Sequence, residues 1–519
     1  MDTPIECIAP IRSAMTVEPP AKYNVRITKQ FIPVSSDGTY LLCITALFIL
    51  SRIIFSMKGG EFISSPIDFA KQYLDPVLLK NDLLKSLYYL HSQPPLFNAF
   101  LGLILKISPH PPLSFELVFK TMGIAMPLLF YGILTALSIR PGAAFMATAI
   151  FMFNPTLILY ENLLYYTHME AFFILLALFG LLRWGIDRRT CFLVLFFLAL
   201  LCLGMIRSLF HAVFFLLTAL LISLYLGYWR RERRLARQFV LYSLIVLVPM
   251  LLVSLKNTCL YRFFGTSSWD GMSLWIKANG YAPEQLEQFH EQGIISDIAI
   301  KAGYDPFQPL DHFFNDRDLK QIPCHHPADC SVLRSTGKPN FNHSGYVHLS
   351  KQLRKDAIAL IWNDPGLFSY YTAGSYCLML WHASDSVNAL FYNNETVLNR
   401  LEGMYRFLYF GFFGIESKQA SHYMWWVRTV CISLFFLSFY ISTLAGLFRK
   451  ADVSLLPVLI LSLFCVLIHA YTLCVSSLIE FGENNRFRYP IDAAFLVLIA
   501  ATIVRSNRSF FKIIKSPAP

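Results

Sequence analysis

The chain has 519 residues, 55% of them hydrophobic and only 15% charged, and its mean hydropathy is +0.49. That balance excludes a soluble globular protein and fits an all-α polytopic membrane protein. The formal charge of +11 falls largely in short basic clusters beside apolar runs, so it reads as membrane topology and not as nucleic-acid binding.

Residues 1–39 form a polar tail with no cleavable signal peptide, and the apolar run that starts at Tyr40 is expected to stay as a signal anchor. Spans are expected at 40–57, 116–139, 142–160, 168–183, 190–206, 208–229, 238–256, 422–447, 455–476 and 487–504. Two weaker runs, 366–381 and 402–415, cross both or neither, which brings the total to about 10–12 helices. The 95–107 run is too short to cross and reads as a half-helix. The layout is thus a cytoplasmic tail (1–39), an N-terminal membrane module (40–256), an extracytoplasmic insert (257–421), C-terminal membrane helices (422–504) and a basic cytoplasmic tail (505–519). The positive-inside rule closes on this layout. Arg140, Arg183, Arg188, Arg189 and the cluster Arg230, Arg231, Arg233, Arg234 and Arg237 all fall on the cytoplasmic side, as do Arg449 and Lys450.

The same layout gathers four polar segments on the outer face: the 58–94 loop, the 161–170 turn, the insert and the 478–488 loop. In the first, Pro66 is expected to open a helix that places Asp68 near its N-terminus. Asp75, seven residues on, would lie on roughly the same face. Asp68 reads either as a helix cap or as a general base, and Asp75 either as a turn residue before Pro76 or as that base. The loop ends in His91-Ser92-Gln93-Pro94-Pro95, whose prolines set the start of the next helix; His91 and Gln93 join the candidate cleft. In the 161–170 turn, Glu161, His168 and Glu170 read as a polar turn or as ligands for a divalent cation (Mg or Mn) with a phosphate. Arg207, four residues before His211 on one helical face, reads as a phosphate ligand or as an ion-pair partner.

The insert carries Cys324 and Cys330, a disulfide pair if that face is oxidising. His325 and His326 match no tetrahedral metal spacing and read as loop residues. Pro283 is expected to start an amphipathic helix. Asn342-His343-Ser344 and Asn394-Glu395-Thr396 are glycosylation sequons. Near the C-terminus, Gly482-Glu483-Asn484-Asn485-Arg486-Phe487-Arg488-Tyr489-Pro490 stands at the mouth of the last apolar run. Arg486 and Arg488 suit a phosphate, because the guanidinium fork matches its oxygens, with Glu483 beside them. The plain alternative is an ordinary charged loop.

Taken in order, the acidic first outer loop, the Pro-Pro helix start, the polar turn after an Asn-Pro helix end and the late Glu-x-x-Arg-x-Arg-x-Pro pattern resemble integral membrane glycosyltransferases of the GT-C type. The likeness is to the family 39-like branch, which includes protein O-mannosyltransferases and lipid A aminoarabinose transferases. It covers roughly residues 40–260 and 470–505. Many relatives carry an Asp-Glu pair, whereas here Phe69 follows Asp68 and Pro76 follows Asp75. The resemblance implies a GT-C fold and a polyprenyl-phosphate-linked sugar donor held among membrane lipids. A lipid, glycan or protein hydroxyl would be the acceptor. It also implies inversion in one displacement, Asp68 or Asp75 as base, and Arg207, Arg486 and Arg488 on the donor phosphate. The implied site is a bacterial cytoplasmic membrane with the active face outside; the sequons keep an endoplasmic-reticulum membrane open. The rival readings are a transporter or flippase, or a polymerase or ligase, for lipid-linked sugars.

Overall fold

The computed structural model describes residues 34–380, 394, 396–401, 403–405, 422–448, 453–482 and 484–515. Among these residues the regular structure is helical, and strand-like pairing is confined to two isolated bridges, Ile63 with Leu163 and Leu333 with Pro339. Eight described helices are long and apolar enough to cross a membrane: Gly38–Met57, Pro111–Ala136, Tyr166–Asp187, Ala212–Trp229, Arg233–Tyr261, Thr429–Phe448, Leu456–Ile479 and Asn484–Ser506. Seventeen-residue Thr190–Ile206 is apolar but shorter. Pro95–Ile107 has 13 residues, about 20 Å of helix, against the ~30 Å of a bilayer core. Its length is that of a half-helix, with Pro95 at its first turn as expected.

Three expectations need correction. The 142–160 run is not one straight span but two helices, Pro141–Met152 and Pro155–Glu161, bent by 58°. Pro155 lacks the N–H that would continue the first helix, and Asn154 caps the second by accepting from the Thr156 amide at 3.0 Å. The 208–229 run starts late. Arg207 is extended, Ser208–Phe210 is a single 3-10 turn, and His211 is extended again before Ala212. Arg207 and His211 therefore do not share a helical face. Asp68 and Asp75 do not either, because helix Pro66–Phe69 is four residues long and ends at extended Ala70.

Helix Tyr166–Asp187 is the hub. It packs against Pro111–Ala136, Thr190–Ile206, Leu456–Ile479 and Arg488–Lys515. Gly180 lets the backbone of Phe196 approach: a Cβ there would meet Phe196 N at 3.0 Å. The insert has a core of its own. Helices Asp270–Ala278 and Gly345–Asn363 pack together through Met272, Trp275, Leu349 and Leu353, all 0% exposed. The preceding membrane helix runs on to Tyr261, past the expected boundary at 256. Helix Pro283–Glu291 starts at its proline as expected. The 366–381 run is the 15-residue helix Pro365–Met379, which lies along Leu456–Ile479. Residues 1–33, Glu483, Arg449, Lys450 and most of 402–415 lie outside the described residues.

Candidate functional site

The first outer loop is fastened to the 161–170 turn by backbone bonds: Ile63 N donates to Asn162 O at 2.8 Å and Leu164 N to Ile63 O at 2.9 Å. Two further anchors sit in the same loop. The Tyr73 hydroxyl donates to Leu164 O at 3.0 Å, and Asn98 accepts from Leu74 N at 2.8 Å. Within this frame the two aspartates differ. Asp75 caps helix Pro76–Asn81, accepting from Val77 N at 2.8 Å, and also accepts from the Ser335 hydroxyl at 2.7 Å and the Ser335 amide. Asp68 is exposed, and its carboxylate has no hydrogen-bond partner among the described residues.

His91 is fully buried. Asn342 accepts from its amide at 2.9 Å, its Nδ1 meets the Ser268 hydroxyl at 2.9 Å, and its ring lies 4.4 Å from that of Tyr261. Burial, aided by nearby Lys256, pushes its pKa down to about 3. It joins the insert to the 58–94 loop. Gln93 is half-buried beside it. The disulfide Cys324–Cys330 is formed. The His325 and His326 rings both stack on Tyr89, and His326 pairs with Asp82 at 3.0 Å. These histidines attach the insert to the loop, in keeping with their reading as non-metal residues.

The carboxylates of the 161–170 turn answer to the protein's own cations. Glu161, 0% exposed, pairs with Arg52 at 2.6 Å and Lys120 at 3.0 Å. Arg52 and Lys120 were not singled out in the sequence, although a lone charge inside an apolar run is itself the signal. His168 stacks on Phe119 and shares a 3.0 Å hydrogen bond with the Tyr489 hydroxyl. Glu170 pairs with Arg207 at 3.0 Å. Glu161, His168 and Glu170 thus do not turn toward a common point. Among the described residues no group of three His, Cys, Asp or Glu side chains is placed to hold a metal ion. Glu161 and Glu170 are each paired with cations of the chain itself.

The terminal motif folds as a 3-10 turn, Asn484–Phe487, leading into helix Arg488–Lys515. Arg486, 5% exposed, donates to the Tyr165 hydroxyl at 3.0 Å and the Tyr166 hydroxyl at 3.4 Å. The Arg207 guanidinium lies 3.8 Å over the Phe487 ring and 5.3 Å from that of Tyr166. Arg486 is 5.8 Å from each of the same two rings. Two guanidinium groups nearly 280 positions apart in the chain therefore flank one aromatic pair. Tyr73 of the first outer loop reaches this cluster, its ring 6.0 Å from that of Tyr165. Arg488 turns the other way, pairing with Asp492 at 3.0 Å and donating to Leu380 O at 3.0 Å. It borders an apolar cavity of about 700 Å³ between the C-terminal helices and Pro111–Ala136, lined by Phe130, Phe151, Phe436 and Ile499 among others.

Fold and site together define a multi-pass α-helical membrane protein with a polar cluster that joins its first outer loop, its 161–170 turn and its last helix. Compared with protein-family models, with curated proteins and with solved structures, the chain finds no match in any of the three.

Proposed function

We propose that the chain is a GT-C-type glycosyltransferase that moves a sugar from a polyprenyl-phosphate donor to a lipid, glycan or protein hydroxyl on the extracytoplasmic face of a membrane. The observation that carries the reading is the convergence of Arg207 and Arg486 on Tyr166 and Phe487, beside the loop that bears Asp68. Asp68 takes the proton of the acceptor hydroxyl. The freed oxygen bonds to the anomeric carbon as the bond from that carbon to the phosphate oxygen breaks. The electron pair leaves with the phosphate, whose growing charge Arg207 and Arg486 stabilise. Of the two aspartates, Asp68 is the better base because Asp75 is occupied by Val77 and Ser335. The apolar cavity beside Arg488 suits the prenyl chain of such a donor. A bacterial cytoplasmic membrane fits better than the endoplasmic reticulum, because both sequon asparagines are buried: Asn342 at 3% and Asn394 at 0% exposure.

Binding of polyprenyl phosphate to the purified protein tests the site directly. Arg207→Gln and Arg486→Gln should each weaken binding by about tenfold or more, the value of a charge-assisted hydrogen bond. Unchanged affinity in both variants would sink the assignment. A flippase for lipid-linked sugars is the second reading, favoured by Arg52 and Glu161 buried together among the membrane helices with half-buried Lys120 beside them. It predicts movement of the lipid-linked sugar across a bilayer with no transfer to an acceptor.

A further inference from the structure

The insert reaches back over the first outer loop through a small hairpin. Leu333 bridges Pro339, Arg334 N donates to Lys338 O at 2.8 Å, and Gly337 makes the turn with φ +74°. The hairpin carries Arg334, only 4% exposed. Among the described residues its guanidinium pairs with no carboxylate. It donates to three backbone carbonyls of the loop: Asp68 O at 2.9 Å, Tyr73 O at 3.2 Å and Ala70 O at 3.3 Å. Thr336 adds a second bond to Asp68 O at 2.8 Å. Helix Pro66–Phe69 is too short to hold itself in water. Its C-terminal carbonyls need donors, and a buried guanidinium with its donors in a fixed fork supplies them at one point.

We infer that Arg334 is a positioning residue for the proposed transfer: it holds the loop so that the Asp68 carboxylate stands free toward the acceptor. The inference rests on the reading of Asp68 as the base. Asp75, clasped by Ser335 of the same hairpin, fixes the far end of the segment. The insert is thereby part of the active region and not an appendage.

The test pairs Arg334→Gln with Arg334→Lys and Thr336→Val. Hydrogen exchange at amides 66–75 of the full-length protein reads positioning whatever the chemistry, and it should quicken in Arg334→Gln and, less, in Thr336→Val. The kcat for sugar transfer should fall by about 10²-fold in Arg334→Gln, the cost of a misplaced group, with KM for the polyprenyl-phosphate donor unchanged. Arg334→Lys can reach only part of the three carbonyls and should recover part of the rate. Unchanged exchange at 66–75 in folded Arg334→Gln overturns the inference, and so does a loss that falls on KM with kcat intact. If the wild type transfers no sugar, the proposed function fails, the catalytic part of this inference goes with it, and the exchange experiment alone decides whether Arg334 positions the loop. Should Arg334→Gln fail to fold, Thr336→Val carries the test, and normal exchange and rate in that variant count against the inference.

Discussion

Asp75 accepts one backbone amide of its own helix and both donors of Ser335, and a carboxylate so engaged is a structural group. Asp75→Asn should lower stability by about 1 kcal/mol, the usual value of a helix cap. Thermal unfolding in detergent measures it, and the variant should keep substantial transfer activity. His91 sets a pH dependence. Its folded pKa of about 3 lies below the ~6.5 of an unfolded histidine. The folded state thus binds fewer protons between those values, and the contribution is full above pH ~6.5 and lost as pH falls toward 3. A neutral replacement, His91→Asn, should flatten the fall in melting temperature between pH 6.5 and 4; an equally steep fall contradicts this role. Much of the residue-scale site was legible. Asp68 stands out as a carboxylate near the start of a proline-opened helix, and Arg207 and Arg486 as charges at membrane boundaries. Arg488 was chosen by the same signal, yet it turns toward Asp492. Nothing local in a sequence says which way a guanidinium at the mouth of a helix points.

At the scale of elements, prolines and charges decide where the helices stop and what they carry. Pro66, Pro76, Pro95, Pro111, Pro141, Pro155, Pro283 and Pro365 each open a helix; the starts at Pro66, Pro95 and Pro283 were readable because proline fits the first turn and breaks an interior one. The bend at Asn154 was hidden: apolar residues continue on both sides of it, and composition cannot distinguish one span from two short ones. The bend places Glu161 at the end of the second piece, where Arg52 and Lys120 reach it. Removing Arg52 leaves the fully buried Glu161 with the half-buried Lys120 as its one remaining cation, at a cost of up to about 3–5 kcal/mol. Arg52→Met should therefore reduce yield and melting temperature sharply, and Arg52→Met with Glu161→Gln should recover part of the loss. If the double variant is no more stable than the single one, the charges are not coupled as described. Arg334 escaped notice altogether, since its partners are carbonyls some 260 residues away and leave no local pattern.

Among the described residues a large core among the membrane helices and a second in the insert, beside a small third cluster of Leu380, Ile432 and Phe436, make up the buried apolar interior; the first two meet at the 58–94 loop through Asn342, His326 and the 333–339 hairpin. The helical type of the membrane spans followed from apolar run length, because the bilayer sets that length; their number did not, since about 10–12 were expected and the described residues hold eight, or nine if the bent pair is one span. How the insert packs did not, because its contacts with the loop are long-range. Reporter fusions at Arg234 and at Gly482 should report opposite sides of the membrane, as the basic cluster at 230–237 requires; the same side for both would break the layout. The proposed function makes one stricter demand. Transfer of labelled sugar from a polyprenyl-phosphate donor to an acceptor should be measured in membranes carrying the wild-type chain or Asp68→Asn. The wild type should transfer, and Asp68→Asn should be slower by about 10²-fold or more, as loss of a general base requires. Transfer by Asp68→Asn at the wild-type rate, or none by a folded wild type, contradicts the account.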